Sequence, residues 1–181
     1  MLEVSPLLKA RIAGALYLLS ILMGVSAVAV ASGSFSLAAN LIGTACYVAV
    51  TLILYELLKP VNKGLSLLAA LFSLVGCAIT LLSLLHLPSP HISSLVFFGF
   101  YCLLLAYLIF RSTFLPRFLS VLLAIAGLGW LTFLSPALGG RLFSPYLMIT
   151  GLIGEGSLTL WLLVFGVNAQ RWNEQARTLG D

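Results

Sequence analysis

Glu155 is the one charged residue deep inside an apolar run of this chain, and Gly151, Gly154 and Gly156 surround it. With a helix opening at Pro145, ten residues carry the carboxyl group about 15 Å along the axis, near the middle of a bilayer. An acid there costs on the order of 2.5–3.5 kcal/mol to insert, so it should face other helices and be neutral or paired. The position suits a proton carrier, a cation ligand or a hydrogen-bonding group for a bound headgroup. It also suits a structural latch, a protonated acid bonded to Asn40, Thr44, Tyr47 or Tyr101 on neighbouring helices. Interhelical polar bonds average only ~0.6 kcal/mol, a small return on that insertion cost. The balance tilts toward a ligand or proton site built from Glu155, Tyr101, Tyr47 and Asn40. The three glycines either let helices pack closely or leave room for a ligand or water beside Glu155. They make no nucleotide loop, because no Gly-x-x-x-x-Gly-Lys-Ser/Thr and no preceding strand accompany them.

Other reactive side chains are sparse. His86 and His91 flank Pro88 and Pro90, yet no carboxylate or cysteine stands with them, so they read as interfacial histidines and no metal site is assigned. Cys46, Cys77 and Cys102 lie inside apolar runs without Cys-x-x-Cys spacing, which suits small packing residues and not a disulfide frame. No His-Glu-x-x-His, Gly-x-Ser-x-Gly or second acid at membrane depth appears, so the sequence leans away from an enzyme. It assigns no cofactor.

These residues sit in a chain of 181 with 61% hydrophobic and 8% charged residues and a mean hydropathy of +1.16. An ordinary soluble domain has about 25% charged residues, so a soluble enzyme, a disordered protein and a secreted disulfide scaffold are excluded. A polytopic membrane protein remains. Apolar runs predict an all-α bundle of six transmembrane helices in one integral membrane domain over 1–181. They run Ile12–Ala31, Leu37–Leu58, Gly64–Leu87, Ile92–Phe110, Phe118–Leu138 and Pro145–Val167. Prolines and glycines in the short connections stop the helices. No apolar–polar alternation supports a barrel.

Lys and Arg in short loops accumulate on the cytoplasmic side. Lys9, Arg11, Lys59, Lys63, Arg111, Arg117, Arg171 and Arg177 fall on one side of this topology and only Arg141 opposite, so both termini are expected to be cytoplasmic. The net charge of +4 then meets anionic lipid headgroups, and nucleic acid is not expected as a partner. The first run, with 20 uncharged residues, exceeds the roughly 7–15 of a signal-peptide core and reads as a retained anchor. Tyr17, Tyr55, Tyr107 and Trp172 near one boundary, and Trp130 and Tyr146 toward the other, fit aromatic belts. Trp161 fits core packing better than a cavity roof. The lipid bilayer is the expected partner, with a small-molecule ligand at Glu155. Small residues permit a homo-oligomer without requiring one.

Lys9, Lys63 and Arg117 lie 54 residues apart, one helical hairpin per interval. At the same offset Leu65-Ser66 falls on Leu119-Ser120, and Tyr47 on Tyr101 and then Glu155. Two crossings per unit would make this a parallel threefold hairpin repeat, although helices of one bilayer's thickness with short loops give similar spacings without duplication.

Tyr55-Glu56-Leu57-Leu58-Lys59-Pro60-Val61-Asn62-Lys63, then Leu108-Ile109-Phe110-Arg111-Ser112 followed by Leu115-Pro116-Arg117, resemble Domain of Unknown Function 4386, small multi-pass membrane proteins of bacteria and archaea. Ala10-Arg11-Ile12-Ala13-Gly14, Ala126-Gly127-Leu128-Gly129, and Gly154-Glu155 followed by Leu160-Trp161-Leu162-Leu163 and Gly166-Val167 extend the likeness over nearly the whole chain. The resemblance implies a six-helix protein of a bacterial or archaeal cytoplasmic membrane, with no established activity or catalytic residues. This chain departs in a shorter, less polar connection after the first helix, Ser73 near where arginine is found, and Tyr101 where histidine often stands.

Overall fold

The structure is a computed structural model that describes residues 5–30, 33–88, 92–135 and 145–178, with side chains of the last segment described from residue 149. Its helices are α1 (Pro6–Val30), α2 (Ser34–Leu58), α3 (Lys63–Leu84), α4 (Ser94–Arg111), α5 (Phe118–Leu131), α6 (Pro145–Val164) and α7 (Ala169–Arg177). A 3-10 turn, Thr132–Leu134, extends α5. No strand occurs among the described residues.

Local chemistry sets several of the ends. Asn62 accepts from the Leu65 amide at 2.9 Å, Ser93 from Leu95 at 3.3 Å and Asn168 from Arg171 at 3.1 Å, each side chain replacing a carbonyl that a first-turn N–H lacks. Gly166, at φ 68°, turns the chain out of α6, and its N–H reaches back to the Trp161 carbonyl at 2.9 Å. Within the helices Thr44, Thr51, Thr80 and Thr159 donate to the carbonyl four residues earlier, so their hydroxyls need no water.

α1 to α6 close into a ring in chain order: each packs on the next, and α6 returns to α1. Close backbone approach explains the packing. A Cβ on Gly14 would stand 2.5 Å from the Leu163 nitrogen of α6, and Gly99 and Gly127 bring α4 and α5 within 3.0 Å of each other's carbonyls by the same measure. Outside the ring Leu22, Leu52, Leu71, Val121, Leu128 and Leu160 stand exposed. A continuous apolar exterior of this kind suits hydrocarbon and not water.

Four helices, α1 to α4, are long and apolar enough to cross a membrane, and a fifth candidate combines α6 with α7 across a 102° bend. The expected fifth span is shorter as a helix: Phe118–Leu134 rises about 27 Å counting its 3-10 turn. Helix α1 starts six residues before the expected Ile12 and so contains Lys9 and Arg11, because these long side chains can extend beyond the apolar stretch. The expected sixth span to Val167 instead stops at Val164, where Gly166 breaks it.

Helix α7 was not apparent from hydropathy, since its nine residues are polar on balance, with only Ala169, Trp172 and Ala176 apolar. It lies across the end of the bundle where the basic residues gather. Trp172 Nε1 donates to the Leu57 carbonyl of α2 at 2.8 Å, and Arg171 Nη1 to the Thr113 carbonyl at 3.3 Å. The Glu56–Lys59 ion pair, 2.7 Å long, sits at the same end and, being substantially exposed, adds little stability. His91 and Arg141 lie outside the described residues. His86 is exposed past the end of α3 at φ 53°.

Candidate functional site

The chain places Glu155 on the ring side of α6, where four other helices, α1, α2, α4 and α5, supply its polar contacts. Tyr17 of α1 donates its hydroxyl to Oε2 at 2.6 Å, and Tyr47 of α2 reaches the same oxygen at 3.4 Å. Trp130 of α5 donates Nε1–H to Oε1 at 3.0 Å. The Cys102 thiol of α4 lies 3.9 Å from Oε1. An indole N–H can only donate, so Oε1 must offer it a lone pair. The two tyrosine oxygens are 3.4 Å apart, with their rings edge to face at 5.3 Å.

The neighbouring glycines divide by role. A Cβ on Gly151 would fall on the Trp130 ring, so the bare backbone there seats the indole that bonds Glu155. One on Gly154 would meet Ala126 Cβ at 2.6 Å and the Leu122 carbonyl at 2.7 Å, which makes Gly154 the α5–α6 contact. Gly156 faces open space. Gly154→Ala should therefore destabilise the protein by about 1–3 kcal/mol through overpacking against backbone. Gly156→Ala should be neutral or stabilise by up to about 1 kcal/mol through helix propensity. Reversible unfolding in bicelles checks both, and equal effects would contradict this division.

Glu155 forms the floor of a chamber of about 220 Å³ lined by Ser20, Asn40, Thr44, Tyr47, Thr80 and Trp130 among others. These residues belong to the half of each helix away from the basic end. The other half is filled: Leu105, Leu108, Leu119, Leu123, Leu158 and Leu162 are buried to 2% exposure or less. The chamber thus has a polar floor at mid-depth and an apolar seal beneath it.

Of the residues singled out from sequence, Tyr47 reaches Glu155 directly. Asn40 lines the chamber, and one N–H of its Nδ2 goes to the Ser36 carbonyl at 2.9 Å rather than to Glu155. Tyr101 is buried behind Tyr47, with ring centroids 6.1 Å apart, and does not bond Glu155. Its hydroxyl and that of Ser66 have no hydrogen-bond partner among the described residues, and both face a void too tight for a water molecule. Thr44 bonds its own helix at Asn40.

Tyr17 and Trp130 read from sequence as belt aromatics, yet Tyr17 is fully buried and both hold the carboxyl group. The small-residue face Ala10, Ala13 and Gly14, one to two turns before Tyr17, is the signal that marks it as inward-facing. Trp161 meets Phe118 edge to face and Phe165 at a tilt near the basic end, away from the chamber. Among the described residues no group of His, Cys, Asp or Glu could hold a metal ion.

The family model described as Domain of unknown function (DUF4386) matches residues 34–94 and 91–166. An uncharacterized protein of Archaeoglobus fulgidus is 35% identical over 128 residues, 66% of this chain and 76% of the relative. No solved structure matches. The match spans α2 through α6, including Glu155 and the Tyr47 and Trp130 that reach it, and on that extent the chain belongs to the family Domain of unknown function (DUF4386).

Proposed function

We propose that this protein is a six-span protein of the bacterial or archaeal cytoplasmic membrane that binds a small cationic or hydrogen-bond-donating solute, or a proton, on Glu155. The solute enters from the outer face. In this arrangement the basic end and both termini are cytoplasmic. The observation that carries the reading is the chamber itself: a largely apolar space with Ser20, Asn40, Thr44 and Thr80 among its walls lies over Glu155 in the half of the bundle away from the basic end, and a leucine layer fills the other half. A site reachable from one side and sealed on the other is a binding site or the outward-facing state of a carrier, not an open channel.

A threefold hairpin repeat accounts for the ring. At an offset of 54, Tyr47, Tyr101 and Glu155 converge near one depth, and Leu54, Leu108 and Leu162 are all buried beneath them. Duplication would explain why one position of each hairpin meets the centre, with the acid in the third copy only.

A second reading has its own support. The donors Tyr17, Tyr47 and Trp130 hold the carboxyl group from three helices, as expected of a latch in a structural or regulatory protein that recruits a partner. Methylammonium separates the two. In lipid nanodiscs it should raise the unfolding temperature of the wild type at millimolar concentration, by ligand linkage, and leave Glu155→Gln unmoved. Equal shifts in the two proteins, or none, favour the latch.

A further inference from the structure

A second, apolar opening reaches the same carboxyl group. Helices α1 and α6 meet closely at Gly14 and Leu163 and at the Tyr17–Glu155 bond. Toward the other end they flank a cleft of about 380 Å³ whose walls are Ile21, Val25, Ile149 and Leu152. Val25, Ile149 and Leu152 are each about half exposed on the outside of the ring, at 53%, 49% and 51%. The cleft therefore opens sideways, where a spanning protein meets hydrocarbon. Its inner end is Gly24, Trp130 and Glu155, which are also walls of the chamber.

We infer that the cleft takes the alkyl tail of an amphiphilic amine while Glu155 takes its ammonium head. The inference rests on the chamber reading and names the ligand class of that site. The volume lies within the range of small-molecule pockets, about 300–1,000 Å³. The walls offer an alkyl chain only apolar surface, and the polar groups collect at one end. That distribution selects a molecule with a single polar terminus.

Charge selects the sign of that terminus. Glu155 has no cationic partner among the described residues, where the ion pair formed is Glu56 with Lys59. A carboxylate offers about four lone-pair sites. Tyr17 and Trp130 take one on each oxygen at short range, and the Tyr47 and Cys102 contacts are long. Acceptor capacity remains for an ammonium, and pairing removes the cost of an uncompensated charge at that depth. An anionic head would meet the carboxylate with like charge, and a neutral head would leave it unpaired.

Gly24 is the point of passage. Gly24 lines both the chamber and the cleft, and a Cβ there would meet nothing within 4 Å, so no side chain stands between the two at this residue. A head that has come down the chamber can lie on Glu155 while its tail passes between α1 and α6 into lipid. A tail already dissolved in lipid can bring its head in by the opposite route.

The test uses the full chain in nanodiscs with three probes: dodecylammonium, methylammonium and dodecanol. Dodecylammonium should half-saturate the stabilisation at a concentration at least tenfold below methylammonium, and dodecanol should give none. Val25→Trp fills the cleft from an exposed position; it should remove that tenfold advantage and leave the methylammonium response intact. Leu152→Trp does the same from the α6 side and serves if Val25→Trp folds poorly. Glu155→Gln should abolish both ammonium responses. No advantage of dodecylammonium in the wild type, an advantage that survives both tryptophans, or an equal response to dodecanol overturns the amphiphile assignment and leaves the chamber standing. A methylammonium response that ignores Glu155→Gln overturns the chamber reading itself.

Discussion

Gly14→Val should cost more than about 3 kcal/mol and leave little folded protein in mild detergent. The would-be Cβ stands 2.5 Å from the Leu163 nitrogen, 2.9 Å from its Cα and 3.0 Å from the Leu162 carbonyl carbon. All three are main-chain atoms of α6, and a helix backbone cannot swing aside as a side chain can. Overpacking into adaptable side chains costs typically 1–3 kcal/mol; here two helices must separate. The contact is also where the ring closes, since α6 packs on α1. Separation there pulls Tyr17 from Glu155 and unseats the site together with the fold. Gly24→Val is the control: the same substitution on the same helix, ten residues on, meets nothing within 4 Å and should change stability by less than about 0.5 kcal/mol. Unfolding titrations and size-exclusion profiles of the pair check this. A Gly14→Val protein as stable as Gly24→Val would mean that α1 is not held against α6 as described.

Trp130→Ala is the second large effect, about 3 kcal/mol. The indole fills the space that Gly151 leaves bare, packs beside Phe133 at 6.4 Å between centroids, and gives its N–H to Glu155 Oε1. Removing it deletes part of the wall between chamber and cleft as well as one donor. Trp130→Phe separates the two contributions, because a ring remains and only the N–H is lost; the cost should fall to about 1 kcal/mol, near the net value of one hydrogen bond. A double-mutant cycle of Trp130→Phe with Glu155→Gln, read by steric-trap unfolding, should give a coupling of at least about 0.5 kcal/mol. Zero coupling would show that the bond does no stabilising work, and the latch reading would lose its support. The tyrosine and indole bonds can stabilise the unoccupied protein and still yield space to an ammonium, because the acid has more acceptor sites than short-range donors.

How legible this protein is in its sequence depends on the range of the interaction concerned. Hydropathy is a local sum, so the apolar helices appear within a few residues of where they stand; the Lys59-Pro60 and Ser112 to Arg117 connections are likewise local. Helix α7 escaped for the converse reason. Its nine residues are polar on balance, and what marks it is Gly166 at positive φ and the Asn168 cap, followed by tertiary bonds to Leu57 and Thr113. Proximity to charged residues made Tyr17 look like a boundary aromatic. In the helix it lies on the same face as Ala10, Ala13 and Gly14, and is buried.

Class and the isolated acid at mid-depth were thus determined by the sequence alone, because both follow from where charge is absent along one dimension. Which groups meet Glu155 was decided by the tertiary structure. Tyr17 lies 138 residues before it and Trp130 25 before it, and they come together only because α6 returns to α1 and α5 at glycines that admit no side chain. The sideways cleft exists for the same reason: α1 and α6 touch at one end, and nothing in either helix's own sequence states that they part at the other.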